Sequence, residues 1–241
     1  MKQTDRNTFI FPLFPAVNSV KILMSTRNAG SMLYIKNNGN PIRHAWLYSH
    51  GIHPQLCASL VLDHGKVVHV LNSSITQWNG VHGDGLIITD NAVYKAGAVT
   101  VADCVPIFLV HKMNKFIGIL HSGFKGTGIL ENALTLITAQ LSLSLEDIQI
   151  ILGPHIHTCC YKVDCERALD FQKKYGCEAV NKINDVWYLN LAQANIVIAE
   201  RLGCKEIWVA EDCTACNELY GSFRREKADN FTRMLAVISF F

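Results

Sequence analysis

The chain has 241 residues, of which 49% are hydrophobic and 17% charged, with a formal net charge of +2. That length suits one large domain or two small ones, with enough apolar material for a sizeable core. So small and unclustered a charge argues against a nucleic-acid partner, which calls for a basic face, and no apolar run reaches the roughly eighteen residues that predict a membrane span.

The opening stretch MKQTDRNTFIFPLFPAV has a short apolar piece, but Pro12 and Pro15 break it and its charges are mixed. It predicts no secretory signal. Residues 1–60 read as irregular, with a loop over 35–41 (IKNNGNP). From about residue 60 the pattern tightens. Short apolar runs rich in β-branched residues predict strands over 66–71 (KVVHVL), 86–89 (LIIT), 105–110 (VPIFLV), 116–120 (FIGIL), 148–152 (IQIIL) and 206–210 (EIWVA). Helices are predicted between them, over 127–141, 165–175 and 191–202, the last closed by Gly203 as a C-cap. Residues 227–238 read as a fourth helix or a mixed helix–strand end. Strands interleaved with helices predict an α/β to α+β fold, a single layered domain over 1–241 with a mixed sheet flanked by helices.

The nine cysteines are odd in number and scattered. They do not read as a secreted disulfide framework, so reduced thiols and a cytoplasmic location are expected. Some are then available as ligands or reactive groups.

Three segments carry candidate chemistry. In Thr100-Val-Ala-Asp-Cys-Val-Pro-Ile, Cys104 follows an acidic residue near a strand–turn junction. The bland alternative is a buried cysteine. In His121-Ser-Gly-Phe-Lys-Gly-Thr, a histidine follows an apolar strand and precedes a helix, with small residues that let backbone approach a ligand. The bland alternative is a tight turn with a surface histidine. His64-Gly stands at the entrance to another strand, with His82 in VHGDG as its rival. Together His64, Cys104 and His121 make a mixed nitrogen–sulfur set that suits zinc, three protein ligands leaving a fourth position for water. Spacings of 40 and 17 residues are too long for a local zinc loop, so the spacing alone does not establish the site.

The ordered motifs add a resemblance. Ser25-Thr-Arg, His64-Gly, Gly83-Asp-Gly-Leu-Ile-Ile-Thr, Ala102-Asp-Cys-Val-Pro, His121-Ser-Gly-Phe-Lys-Gly, Gly153-Pro-His-Ile-His-Thr-Cys-Cys-Tyr-Lys-Val, Cys213-Thr and Ser222-Phe-Arg-Arg occur in that order. From about Ser25 to the C-terminus the chain resembles the multicopper polyphenol oxidoreductase, laccase-domain family, also described as purine nucleoside phosphorylases and peptidoglycan-editing factors. The resemblance implies that His64, Cys104 and His121 hold zinc. It implies phosphorolysis of adenosine, inosine or methylthioadenosine and deamination of adenosine, with a nucleoside and phosphate as the partners. Leu62 stands where the family has glutamine, and Phe124-Lys125 where it has Trp-Arg, which leaves substrate preference open.

Roles for the neighbouring residues follow as expectations. In deamination the metal activates water for attack on purine C6; in phosphorolysis it polarises a substrate oxygen. Asp103 is a candidate to orient a ligand or move a proton, against the alternative of a turn carboxylate. Arg27 and Lys125 are candidates to hold phosphate or ribose, and Arg224 and Arg225 to clamp an anion, since arginine forks match phosphate oxygens. The alternative for Arg27 and Lys125 is a solvated surface charge, and for one of Arg224 and Arg225 an ordinary salt-bridge partner. Cys213-Thr-Ala-Cys216 reads as a redox pair or half of a second zinc site; no second CxxC is present, so Cys213 is taken to line the site and Cys216 to be incidental. Cys159 and Cys160 are expected to pack structurally. His155-Ile-His157 is a copper-site element, but one such pair makes no trinuclear cluster, so copper oxidase chemistry is not expected. The rival function is a cysteine amidase or hydrolase acting on cell-wall peptides, with Cys104 as nucleophile and His121 as base.

Overall fold

Strands covered on both faces must be apolar throughout, and that is what the continuous runs of this sequence become. The computed structural model describes residues 2–5, 7–11, 19–35, 39–227 and 230–241. In chain order these form β1 (Lys2–Asp5), β2 (Thr8–Ile10), β3 (Val20–Ser25), α1 (Pro41–Ser49), β4 (Cys57–Ser59), β5 (Val68–Leu71), β6 (Gly85–Thr89), β7 (Ala96–Val101), β8 (Val105–His111), β9 (Phe116–Ser122), α2 (Ile129–Leu136), β10 (Ile148–Leu152), β11 (Lys162–Val163), α3 (Cys165–Tyr175), β12 (Val180–Ile183), β13 (Val186–Leu189), α4 (Leu191–Arg201), β14 (Glu206–Val209), α5 (Phe223–Glu226) and β15 (Met234–Phe240).

One six-stranded sheet runs β1-β2-β3-β15-β7-β4, a second runs β14-β10-β8-β9-β6-β5, and a small one runs β11-β13-β12. Both large sheets are mixed: β4 with β7, β5 with β6 and β10 with β14 are parallel, and the other pairs are antiparallel. Alternation along each strand sorts its side chains between layers. From β8, Phe108 and Val110 face the first sheet, where they meet Ile22, Val99 and Ile238. Val105, Ile107 and Leu109 face the other way, into a core with α2, α3 and α4. Behind the first sheet, Leu23, Ala98 and Val237 pack on Trp46 and Leu47 of α1. The layers are therefore helix, sheet, sheet, helices, an α+β architecture.

Helix ends follow local chemistry. Asn40, Asp164 and Asn190 accept the amides of Arg43, Arg167 and Gln193, which caps α1, α3 and α4. Gly176 and Gly203 follow α3 and α4 with φ of +91°.

The expected fold class is present, with the mixed sheet and its helices distributed over two large sheets. Other expectations change. The final segment is the short α5 followed by β15, a strand in the middle of the first sheet. Its apolar residues serve two buried faces, which removes the periodicity that tells strand from helix. Residues 228 and 229 of that predicted segment, residues 36–38 of the predicted 35–41 loop, and Pro12 and Pro15 lie outside the described residues. The stretch read as irregular holds β1 to β4 and α1. The helix expected over 127–141 starts at Ile129 and ends in a wider π turn over Ile137–Leu141. No helix among the described residues is long and apolar enough to cross a membrane.

Candidate metal centre

Strand direction brings four distant segments to one edge of the second sheet. β5 and β6 are parallel, so the residues entering them, including His64 and Asp84, lie side by side. β9 is antiparallel to β6 and pairs Leu120 with Gly85, which sets His121 beside Asp84. β8 is antiparallel to β9 and pairs Val105 with Ser122, which brings in Cys104. The ligand atoms of His64, Cys104 and His121 lie within 4.8 Å of one another. The imidazole rings of His64 and His121 meet edge to face, with centroids 4.8 Å apart.

Asp84 organises this group from a fully buried position. Its Oδ1 accepts from the His64 amide at 3.0 Å and pairs with His121 Nδ1 at 2.8 Å. Its Oδ2 accepts from the Gly65 amide at 2.7 Å. Burial opposes the charge on Asp84, but His121 and the two amides hold its pKa below the ordinary carboxylate value. Burial likewise opposes charge on His121, yet the Cys104 sulfur and Asp84 push its pKa up to about 9. His64, exposed at the edge of the group beside His121 and Lys125, is pushed down, desolvation by its neighbours being the main cause. With Nδ1 engaged by a carboxylate, His121 has Nε2 left to meet a ligand, the arrangement that orients metal-bound imidazoles.

Gly123 is required by the third donor. A Cβ there would stand 2.7 Å from Cys104 Sγ. Gly123→Ala is therefore expected to displace the sulfur and weaken metal retention by roughly 10–100-fold, the range for changes to groups that orient a ligand. Chelator competition reads this directly, and unchanged retention would count against the three donors acting as one site.

The donors open on a cleft of about 1360 Å³. Phe124, Tyr161, Phe223 and Phe231 supply aromatic surface, and Lys125, Arg167, Arg224, Lys227 and Arg233 outnumber the carboxylates Asp63 and Asp103. The Arg224 guanidinium lies 5.4 Å from the Tyr161 ring centroid and that of Arg167 lies 5.7 Å from the Phe124 centroid. This lining suits a flat, partly apolar ligand that carries or is joined by negative charge.

The other candidate residues divide. Lys125, Arg224 and Asp103 line the cleft. Asp103, at φ +88°, has both carboxylate oxygens engaged, by Thr214 Oγ1 at 2.7 Å and the Arg224 amide at 2.7 Å. Arg27 lies outside the lining and pairs with Glu226 at 3.4 Å. Arg225 donates to the carbonyls of Thr214, Ala215, Asn217 and Tyr220. Cys213 is buried outside the cleft, its sulfur grouped with those of Cys159, Cys160 and Cys216. The rival His82 sits at the cleft rim, paired with Asp63 at 2.9 Å, both exposed. His155 is buried with Nδ1 on the Gly153 carbonyl, and burial pushes its pKa down to about 3. Among the described residues, neither His155 nor His157 belongs to a candidate metal group.

Sequence reasoning passed over Asp84 and Glu226. Asp84 had a signal, an acidic residue between two glycines at a strand entrance. Glu226 accepts from the amides of Ser222 at 3.1 Å and Thr232 at 2.8 Å and from Arg225 at 2.9 Å. Burial raises its pKa, but these donors and Arg27 bring it below the usual value. A lowered folded pKa gives stability that is present above the ordinary glutamate value and lost as pH falls through the folded one. Glu226→Gln is expected to cost roughly 1.5–3 kcal/mol at neutral pH. That deficit should shrink as the pH of a denaturation series falls below about 4.3, and a pH-independent deficit would contradict the assignment.

A family model described as multi-copper polyphenol oxidoreductase laccase matches residues 37–240. The chain belongs to that family. Within the laccase-like family, a Mus musculus protein named a purine nucleoside phosphorylase is 23% identical over 236 residues, 93% of this chain and 52% of that protein. YlmD of Geobacillus stearothermophilus, also named a purine nucleoside phosphorylase, is 33% identical over 165 residues, 64% of this chain and 59% of YlmD. The chain thus spans between half and two thirds of the length of these relatives. The crystal structure of YlmD superposes with a TM-score of 0.83 at 25% identity, covering 94% of each chain. A Neisseria meningitidis structure superposes with a TM-score of 0.82 at 22% identity, covering 97% of this chain and 99% of that one, a likeness of fold.

Proposed function

We propose that the protein is a zinc-dependent purine nucleoside phosphorylase that also deaminates adenosine, with adenosine, inosine and methylthioadenosine as substrates. The observation that carries this reading is the meeting of two imidazoles and one thiol, within 4.8 Å, at the head of an aromatic and cationic cleft. The names of the relatives in this family support the substrate class. The donor set fits zinc, which accepts both imidazole and thiolate and keeps a fourth position open with three protein ligands. Zinc held by His64, Cys104 and His121 supplies Lewis-acid polarisation of a substrate oxygen or of water. The thiol ligand requires a reduced cysteine, which fits a cytoplasmic location.

The chain's own residues then have distinct tasks. Phe124 and Tyr161 offer faces for a purine, and Lys125 and Arg224 offer positive charge for phosphate. In phosphorolysis a phosphate oxygen bonds to ribose C1′ as the bond from C1′ to the base nitrogen breaks, and the base leaves with a proton. In deamination water adds at purine C6 and ammonia leaves. Asp84 holds the His121 ring through Nδ1. Asp103 is a positioning residue that fixes the backbone of Arg224. Arg27 pairs with Glu226 at the end of α5, the helix that also carries Arg224. We read residues 1–241 as one domain, because successive cores share the two large sheets.

The test is incubation of the purified protein with adenosine, with and without phosphate and chelator. The expected products are adenine and ribose 1-phosphate with phosphate, inosine and ammonia without it, and neither after chelation. Absence of all products from metallated protein would overturn the proposal.

One observation favours a second reading. Cys104, His121 and Asp84 also follow the order nucleophile, base, orienting carboxylate, with Cys104 a hydrogen-bonding partner of His121. A cysteine hydrolase acting on cell-wall peptides needs a metal-free Cys104. Rapid alkylation of Cys104 in the protein as isolated, with peptide hydrolysis and no nucleoside turnover, would favour it.

A further inference from the structure

A second convergence of ligands stands on the same sheet edge. Cys159 and Cys160 follow β10, and Cys213 and Cys216 follow β14. These strands are parallel neighbours, in register from Gln149 with Glu206 to Leu152 with Val209. Loops leaving the C-terminal ends of adjacent parallel strands emerge side by side, and a bridge between His155 and Cys213 continues the pairing beyond them. The four sulfurs lie within 4.8 Å of one another. Cys216 Sγ is 3.6 Å from Cys159 Sγ and 3.3 Å from Cys160 Sγ.

Those separations match a ligand shell. Four sulfurs about 2.3 Å from one tetrahedral ion stand about 3.8 Å apart, whereas a disulfide holds two sulfurs at about 2.05 Å. The backbone adds a separate observation. The amide of His157 donates to Cys213 Sγ at 3.4 Å, and the Cys216 amide closes the turn onto the Cys213 carbonyl at 3.2 Å. An N–H donor aimed at a sulfur is suited to a thiolate. Arg225 brings a guanidinium to the carbonyls of Thr214, Ala215 and Asn217, a positive charge on the turn that carries Cys213 and Cys216.

We propose that Cys159, Cys160, Cys213 and Cys216 form a second, structural metal site that takes one zinc ion as a tetrathiolate, distinct from His64, Cys104 and His121. All four positions of the ion are filled by protein, so the site is closed and takes no substrate. Its thiols converge on one point, which suits a single ion; an iron–sulfur cluster spreads its cysteines around several irons. Protons released as the thiols ligate go to solvent. The ion ties together two loops that both bond Asp103: Ile156 donates its amide to the Asp103 carbonyl at 2.9 Å, and Thr214 its hydroxyl to the carboxylate. The second site thus fixes the wall of the cleft next to Cys104.

The test counts zinc on full-length protein purified under reducing conditions without chelator. Wild type should hold an ion for each of the two groups, and Cys104→Ala should keep one. Because Cys104→Ala leaves the four thiols intact, its cobalt-loaded form should give the intense charge-transfer absorption of a tetrathiolate. Cys216→Ser should lower the zinc count by one while leaving the cobalt signature of the mixed site. A folded Cys104→Ala protein that binds no zinc or cobalt would overturn the proposal. So would wild-type protein, purified under those reducing conditions, whose peptide map shows Cys216 disulfide-bonded to Cys159 or Cys160.

Discussion

Replacing Cys104 by alanine is expected to remove the zinc held with His64 and His121 and to lower kcat/KM for adenosine by more than about 100-fold. Groups that merely orient a ligand cost 10–100-fold when changed, and Cys104 supplies the one sulfur among the three converging donors. The fold should survive. Cys104 is half-buried in the bend that follows β7, and the sheets do not depend on its side chain. Metal content, circular dichroism and turnover on the same preparation separate the outcomes. Turnover within tenfold of wild type would remove Cys104 from the reaction. Loss of turnover in a variant that still binds zinc through His64 and His121 would favour the nucleophile reading.

Asp84→Asn should act more broadly. The carboxylate is fully buried and takes three donors, the His64 amide, the Gly65 amide and His121 Nδ1. An asparagine keeps one acceptor and turns an NH2 toward a group that is itself a donor. Losing one partner of a buried charged pair costs about 3–5 kcal/mol, which lowers Tm by about 6–20 °C in a chain of this size. Zinc affinity should fall by about 10–100-fold in addition. The deficit in Tm should persist after chelation, because the amide contacts do not involve the ion. A variant with wild-type Tm and metal content would show that Asp84 neither supports the loop nor orients His121.

Much of the sheet scaffold could be read from the amino acids. The runs VPIFLV, FIGIL and IQIIL are apolar without alternation because β8, β9 and β10 are covered on both faces. The helix over Cys165–Tyr175 was legible from its pattern, and its end is marked by Gly176. β7 escaped notice because AGAVTV is built of small residues. Gly97 in it lies so close to the second sheet that a Cβ would meet Ile88 and Ile119 at 3.0 and 3.1 Å. The hairpin of β12 and β13 turns at Asn184 and Asp185, both with positive φ, a signal present in the sequence but short.

The candidate site was legible only as residue types. Nothing in a spacing of 40 and 17 residues says that His64, Cys104 and His121 meet; ordered motifs suggested it, and the directions of β5, β6, β8 and β9 bring their ends to one edge. Arg27 and Arg225 looked like anion binders because a guanidinium has the same form in any context. Their partners, a part-buried glutamate and a row of carbonyls, are far away or carry no sequence signal. Cys213 and Cys216 looked like half a motif because the other half, Cys159-Cys160, belongs to a loop more than fifty residues earlier.

The sequence by itself therefore determined the buried strands from β8 to β10, the bounds of α3 and α4, and which side chains carry donor atoms suited to a metal. These are local properties of hydrophobicity, capping and donor atoms. Tertiary structure alone decided which histidines and cysteines share a site, because that depends on strand order and direction. It also made Asp84 the residue that two amides and an imidazole address together, a role set by three-dimensional neighbours and not by any one stretch of chain.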